Sequence, residues 1–224
     1  MGKMLPNYAK TPRCIPKAPG LVNSFDTAVY AVACIVFWAC CHLSELLITS
    51  CHSFDLQSKV SCSCLKTCSI AKFGQHFSML HLPKTKTNGQ EGDDIYLIDC
   101  PLLFNQVNAF EHHLASSLMI PDDAPLFVWK STNGSWCPMM KNWFMSLCRT
   151  AWKKEGVDML DGHNFRIGGT THHLVSGVDP WVVMVIGCWS LSTFLTYWHK
   201  VEEILPNFIS EAYDSVESLT SHML

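Results

Sequence analysis

Charged side chains are scarce in this sequence, and neither sign predominates. Asp, Glu, Lys and Arg make up 16% of the 224 residues, and the formal net charge is -3. This composition argues against a disordered chain and against a basic tail that binds polyanions without regard to sequence. Hydrophobic residues reach 48%, enough for a buried core. We therefore expect one large domain over residues 21–210, an extended proline-rich lead-in over 1–20 and a polar tail over 211–224.

The sequence also lacks an apolar run long enough to cross a bilayer. The run 28-AVYAVACIVFWACC-41 holds 14 residues, whereas a transmembrane helix needs about 20. The first residues, MGKMLPNYAK, have no apolar signal segment. We therefore expect no membrane partner. The twelve cysteines are expected to be reduced thiols, most of them small core residues, in the nucleus or cytosol.

Ligand spacing typical of a structural metal site is missing as well. The segment 62-CSCLKTC-68, with His76 and His81 nearby, has no C-x2-C clasp, and alternating residues of a strand point to opposite faces. The adjacent histidine pairs at 112–113 and 172–173 cannot share one helix face. A zinc site on the cysteine segment stays an alternative. The main expectation is a protein without metal or small-molecule cofactor.

Turn and cap residues divide the domain into helices and a few strands. The pattern predicts an α+β, mainly α, fold: a helical domain with a small antiparallel sheet on one side. Between two predicted strands, 83-PKTKTNGQEGDD-94 is dense in turn formers, which indicates a β-hairpin carrying Lys84 and Lys86 near its tip. Helices are predicted over 23–49, about 102–119, 138–155, about 163–176, the segment after Asp179-Pro180 and a last one with Tyr197; strands are predicted over 58–68, 76–83 and 94–100.

The stretch 163-HNFRIGGTTHH-173 carries residues suited to phosphate chemistry. Arg166 lies early in a predicted helix, next to glycines 168–169, which permit close approach of backbone or ligand. Its guanidinium is a planar fork that matches two phosphate oxygens. His163, one turn earlier on the same face, transfers protons near pH 7. The alternative is structural: His163 caps the helix and Arg166 pairs with a carboxylate such as Asp161.

Three landmarks in order bear on that choice: His163-x-x-Arg166, then 187-GCWS-190, then Tyr197, which follows Arg166 by 31 positions. This order and spacing resemble the catalytic half of the tyrosine recombinase (phage integrase) family. The phrases 163-HNFRIGGTTHHLVSGVDPWVVMVIG-187 and 194-FLTYWHKVEEILP-206 look like the copies found in fungal mobile elements.

The resemblance continues upstream, so that it covers roughly residues 20–210. Segment 82-LPKTKTNGQEG-92 looks like the family's β-hairpin, whose lysine would be Lys86, with Lys84 the less favoured choice. Segment 24–47 looks like the family's first long helix, which normally presents an arginine just before L-x-E-L.

The resemblance implies breakage and rejoining of double-stranded DNA, in the nucleus, with self-association into a tetrameric synapse. Tyr197 would attack the scissile phosphate, form a 3′-phosphotyrosyl link and release a 5′-hydroxyl. Arg166 would hold the non-bridging oxygens, with His42 as an imperfect second clamp. His163 would act as acid/base partner, and Lys86 would protonate the leaving oxygen. Protein cations would neutralise the charge, so no metal is required.

Two positions depart from the family pattern. His42 stands where the first arginine is expected, and an imidazole has no bidentate fork. Cys188, nine positions before Tyr197, stands where histidine or tryptophan is usual, and a thiol is a weak donor. A small register shift would bring the neighbouring Trp189 into that role. Losing one such donor costs a factor of about 100–1000 in rate.

Two alternative functions therefore fit the sequence. One is a recombinase with slow chemistry; the other is a catalytically degenerate DNA-binding or interaction domain that keeps the fold. The sequence has no segment that resembles the family's N-terminal DNA-clamping domain, so weak DNA affinity is expected.

Overall fold

A computed structural model describes residues 23–70, 74, 76–100, 104–156, 160–190 and 194, with the side chains of 66–70 and 76 outside that description. Over these residues the fold is mainly helical, as the sequence predicts, with two small antiparallel sheets where the sequence predicts one. One sheet has the strand order β1-β2-β3 and the other pairs β4 with β5. The helices are α1 (Ser24–Trp38), α2 (Leu43–Leu46), α3 (Gln106–Ser116), α4 (Lys141–Lys154), α5 (Gly162–Val175) and α6 (Pro180–Ile186); the strands are β1 (Leu65–Ile70), β2 (His76–Leu82), β3 (Asp93–Ile98), β4 (Val128–Lys130) and β5 (Trp136–Pro138).

Helix α1 is the centre of the hydrophobic core. Every residue from Thr27 to Trp38 is buried, and the helix packs against α3, α5 and β4. The Asn23 side chain caps its N-terminus by accepting a hydrogen bond from the amide of Asp26. A helix that is apolar on all sides is stable only when neighbours cover all of it. None of the helices in the described ranges has the length and apolar character of a membrane span.

The predicted single helix over 23–49 is wrong, because the chain breaks after Trp38. Cys40 adopts a left-handed conformation, with φ 48°, and α2 then begins at Leu43. No glycine or proline occurs between 39 and 42, so no local signal marks the break. The buried carbonyl of Cys40 accepts a hydrogen bond from Arg166 of α5. A tertiary contact therefore stabilises a left-handed conformation that is unfavourable for any residue other than glycine.

The predicted strand over 58–68 also begins too early. Residues Cys62–Cys64 form a 3-10 turn, and β1 begins at Leu65. The first two amides of this turn donate to the carbonyls of Ala124 and Asp122. Because these amides are bound by a distant loop, they do not join the sheet ladder.

The hairpin predicted between 83 and 94 is confirmed. Strands β2 and β3 pair antiparallel, with His81 opposite Asp94. At the base of the connection, Gly92 has φ 68°, and a Cβ added there would lie 2.0 Å from the carbonyl oxygen of Leu82. Only glycine fits this close approach. The hairpin is therefore held in one position at its base.

The predicted helices α3 to α6 are present, with the early ones shorter than predicted. Helix α3 begins at Gln106 rather than near 102, and α4 at Lys141 rather than 138. The side chain of Asp161 caps α5, and that of Asp179 caps α6 ahead of Pro180. The sequence predicted the beginning of α6 from the local Asp179-Pro180 signal, whereas at α5 the cap is Asp161 and not His163, which the structural alternative named. The lead-in, the last helix with Tyr197 and the polar tail lie outside the described residues.

Candidate active site

The first residues of the site are positioned by close packing of α5 on the end of α1. A Cβ at Gly169 would lie 1.8 Å from the carbonyl oxygen of Phe37 and 3.1 Å from Sγ of Cys40. The sequence predicted that this glycine permits close approach of backbone or ligand, and the group that approaches is the backbone of α1. The contact places the beginning of α5, with His163 and Arg166, beside residues 39–42.

Arg166 is buried and holds two helix ends together. Its side chain is 4% exposed. Nη1 donates to the carbonyl of Cys40, after α1, and Nη2 donates to the carbonyl of Gly187, after α6, at 2.9 Å. Cys188, next to Gly187, has a left-handed conformation like that of Cys40, with φ 52°. Asp161, the carboxylate that the structural alternative assigned to Arg166, accepts from the amides of His163 and Asn164.

Trp189 lies against the face of the Arg166 guanidinium. The distance from the guanidinium carbon to the ring centroid is 4.0 Å, a cation–π contact. The ring also covers Gly187, where an added Cβ would lie 2.0 Å from it, and has the Phe194 ring at 5.6 Å. The indole is 7% exposed. In this arrangement the buried Trp189 ring packs on the Arg166 guanidinium and helps to hold it in place.

His42 and His163 bring two parts of the site into contact. Their imidazole rings are nearly parallel, with centroids 6.0 Å apart. His163 is exposed and His42 half-buried. Burial, together with the charges of Arg166, His163, Lys86 and Lys141, lowers the pKa of His42 to about 4. At pH 7 His42 is therefore a neutral imidazole with one N–H donor.

Glu45 connects this region to the hairpin. Its Oε2 accepts a hydrogen bond from the backbone amide of His42 at 2.7 Å, and the carboxylate also accepts from the backbone amide of Lys86. Burial raises the pKa of Glu45, while these hydrogen bonds and Arg166 act against that rise. Sequence reasoning did not assign Glu45 a role. Its position three residues after His42, at the third residue of a short helix, is the signal that predicts such a bond.

The hairpin is docked so that Lys86 lies at the site. The hydroxyl of Thr87 donates to the carbonyl of Cys188 at 3.0 Å, and Thr85 is buried, with its hydroxyl donating to Asp93 at 2.7 Å. Lys86, between the two threonines, is exposed. It lines an open groove together with His42 and Lys84.

Cys188 lines a small pocket next to this groove, with His42, Glu45 and Arg166. The thiol is half-buried, and burial together with the charge of Asp93 raises its pKa to about 12. The thiol is therefore protonated at pH 7. It offers a weak S–H donor where the resemblance leads us to expect an imidazole or an indole.

The structure thus brings together His42, His163, Arg166, Lys86 and Cys188, with Trp189 behind Arg166. Tyr197, the expected nucleophile, lies outside the described residues. Within those residues no cluster of three or more metal-binding side chains occurs. The side chains of Cys68 and His76, two members of the alternative zinc set, lie outside the description as well.

Comparison with known proteins gives a fold but no sequence relative. No family model matches the sequence, and no curated protein matches it either. Among solved structures, XerA recombinase superimposes with a TM-score of 0.55 and 18% identity over 95% of this chain. XerH site-specific recombinase, in a post-cleavage complex with the difH substrate, gives 0.54 and 14% over 86%. An Flpe–Holliday junction complex gives 0.51 and 14% over 83%.

The chain has the fold of a tyrosine recombinase catalytic domain. It spans 64% of the XerA chain, 47% of the XerH chain and 43% of the Flpe chain. Identities this low relate folds and do not transfer residue roles. The chemistry of this chain therefore has to be argued from its own side chains.

Proposed function

We propose that this chain breaks and rejoins DNA strands through a covalent link between Tyr197 and a 3′-phosphate. One observation carries the proposal: residues far apart in the sequence come together, since His42 and Lys86 line one open groove, His163 stacks on His42, and the charge of buried Arg166 acts on His42. Histidine, lysine and arginine at one concave site are the groups that a phosphodiester reaction requires.

The chemistry balances without a cofactor. The phenolic oxygen of Tyr197 forms a bond to phosphorus as the bond from phosphorus to the 5′-oxygen breaks. His163 takes the phenolic proton, and Lys86 gives a proton to the leaving 5′-oxygen. The phosphotyrosyl bond keeps the energy of the phosphodiester, so the 5′-hydroxyl of another strand reverses the step.

Arg166 contributes in two ways under this proposal. Its amino groups hold the carbonyls of Cys40 and Gly187 and so fix the residues around the groove. Its charge lies in a buried setting beside the phosphate position, where electrostatic attraction is stronger than in water. Neutral His42 adds one N–H donor in place of a charged fork, so the reaction is expected to be slow.

A second function, DNA binding without cleavage, is favoured by two observations. His42 is neutral at pH 7 because burial lowers its pKa to about 4. The Cys188 thiol is protonated because burial raises its pKa to about 12. Two of the positions that bind phosphate in the resembled family therefore carry weak donors here.

The finer parts of the proposal follow from the fold and the resemblance together. The XerH and Flpe structures are complexes with a DNA substrate or a Holliday junction. For this chain we propose double-stranded DNA as partner, integration of a mobile element as the process, the nucleus as its location, and a tetrameric synapse as the assembly.

A nicked duplex that traps the covalent intermediate tests the function. Cleavage near the nick releases a short strand that diffuses away, so the protein stays attached to DNA. The proposal predicts an adduct from the wild-type chain and none from Tyr197→Phe. Equal yields from both proteins would rule out Tyr197 as the nucleophile. No adduct from either, with DNA binding intact, would favour the binding function.

A further inference from the structure

Several positive charges meet in the open groove of a protein whose net charge is -3. Three lysines from two segments line the groove: Lys59 precedes β1, and Lys84 and Lys86 belong to the hairpin. Lys141 at the beginning of α4 lies close enough to affect both His42 and Lys59. A groove with cations on its walls attracts anions more strongly than a flat surface does.

Lys59 is held in a defined position in this groove. Its Nζ donates to the carbonyl of Ser44 at 2.8 Å, and the residue is half-buried. Burial lowers its pKa, and the nearby charges of Lys84 and Lys141 lower it further against the opposing effect of Glu45. These like charges repel one another, which is unfavourable. An anion bound between them relieves that repulsion.

The groove is open, and Lys59, Lys84, Lys86 and His42 all line it. A nucleic-acid strand presents consecutive phosphates to a groove of this kind, and lysine is a common phosphate ligand. Glu45 also lines the groove, with its carboxylate bound to the backbone amides of His42 and Lys86.

We propose that Lys59 and Lys84 form a second phosphate subsite, which binds the DNA backbone beside the phosphate at His42 and Lys86. This subsite rests on the proposed function, because that function places the reacting phosphate at His42 and Lys86. It adds a contact that positions the strand and takes no part in the bond changes.

The salt dependence of DNA binding tests the subsite. Affinity of the full chain for random-sequence duplexes is measured by fluorescence anisotropy at several salt concentrations. Each lost phosphate contact reduces the slope of log affinity against log salt by about 0.9. Lys59→Gln and Lys84→Gln should each produce about that reduction, and the double variant about twice it. The exposed Lys153→Gln, on the far end of α4, is the matched control and should keep the wild-type slope.

Lys59→Arg separates charge from folding, because arginine keeps the cation and a donor for the carbonyl of Ser44. Lys59→Arg should therefore have the wild-type slope of log affinity against log salt, whereas Lys59→Gln has a smaller one. Slopes of the glutamine variants equal to that of Lys153→Gln would overturn the subsite, as would a wild-type chain that binds no duplex. The covalent assay reads the proposed function separately. An adduct with unchanged slopes would reject the subsite alone, and reduced slopes without an adduct would reject cleavage alone.

Discussion

The imidazole rings of His42 and His163 lie nearly parallel, with an interplanar angle of 13° and centroids 6.0 Å apart. His42 comes from the break between α1 and α2, and His163 from the first turn of α5. His42 occupies the position where the resembled family has an arginine. The contact therefore places it directly beside His163, the proposed acid/base residue. Replacing His42 therefore tests the part of the site that departs most from the family.

His42→Arg should increase the rate of adduct formation. A guanidinium supplies two parallel donors and a permanent charge where the wild type has a neutral imidazole, and one phosphate donor changes such rates by about 100–1000-fold. Single-turnover kinetics on the nicked duplex measure the effect. His42→Gln, with an N–H donor but no charge, should react no faster than wild type. An unchanged rate in a folded, DNA-binding His42→Arg protein would show that the histidine does not limit the reaction.

Thr87→Val should loosen the hairpin that carries Lys86. The variant keeps the shape of the side chain but loses the hydrogen bond to the Cys188 carbonyl, observed at 3.0 Å, which contributes about 0.5–1.5 kcal/mol. Amide hydrogen exchange over residues 84–89 should become faster, and adduct formation slower by about threefold to tenfold. Thr87→Ser keeps the hydroxyl and should behave as wild type. Equal exchange rates in the serine and valine variants would contradict the tether.

Gly169→Ala should lower the free energy of unfolding by about 2–3 kcal/mol, because its Cβ would overlap the α1 backbone. The nearest atom, the carbonyl oxygen of Phe37, lies 1.8 Å from that Cβ. Urea denaturation measures the loss. Gly162→Ala in the same helix is the control, since its closest neighbour is the flexible Leu43 side chain, with Cδ2 at 3.2 Å. Equal stabilities of the two variants would contradict the close α1–α5 contact.

Acid should destabilise the fold as the pH falls below about 6.5, the pKa of an unfolded-state histidine. Burial lowers the folded-state pKa of His113 and His173 against the opposing effect of their hydrogen bonds to Leu126 and Trp38, and that of His42 to about 4. In that range the unfolded chain binds protons that the folded chain excludes. Each of the three histidines should therefore destabilise the fold as the pH falls below 6.5, and His42 should remove about 1 kcal/mol at one pH unit below it.

Urea denaturation at about pH 7.5 and about pH 5.5 measures this loss. His113→Gln keeps a donor for the Leu126 carbonyl but does not titrate, so its loss of unfolding free energy should be smaller than that of the wild type. His112→Gln, at the exposed neighbouring position, should leave the loss unchanged. A loss of equal size in both variants would show that His113 is not the titrating group.

The sequence predicted the parts of the fold that depend on local signals. Asp179-Pro180 marks the beginning of α6 by its own chemistry, and the turn formers around Asn88 and Gly89 mark the hairpin. The end of α1 could not be predicted, because the contact that stabilises it joins Cys40 to a residue 126 positions away. A left-handed cysteine leaves no pattern that a reader of the sequence recognises.

For the site, the sequence identified residues that lie close together in the structure, but it did not predict all of their contacts. His42, His163, Arg166 and Lys86 do converge, but the predicted phosphate fork of Arg166 is directed at two carbonyls. The phosphate-binding role proposed for Lys59 has no signal in the sequence, because an isolated lysine before a strand is normally a surface residue. Its significance depends on the fold, which brings it to the same groove as the hairpin lysines.

Mapping the covalent adduct tests the central claim most directly. After reaction with the nicked duplex and digestion by nuclease and protease, mass spectrometry identifies the residue that carries the nucleotide. Tyr96, which is 44% exposed, is an internal control for non-specific linkage. The claim of a phosphotyrosyl recombinase predicts a 3′-nucleotide on the peptide that contains Tyr197. A nucleotide on Tyr96 or on a serine, or DNA binding without any linked peptide, would contradict it.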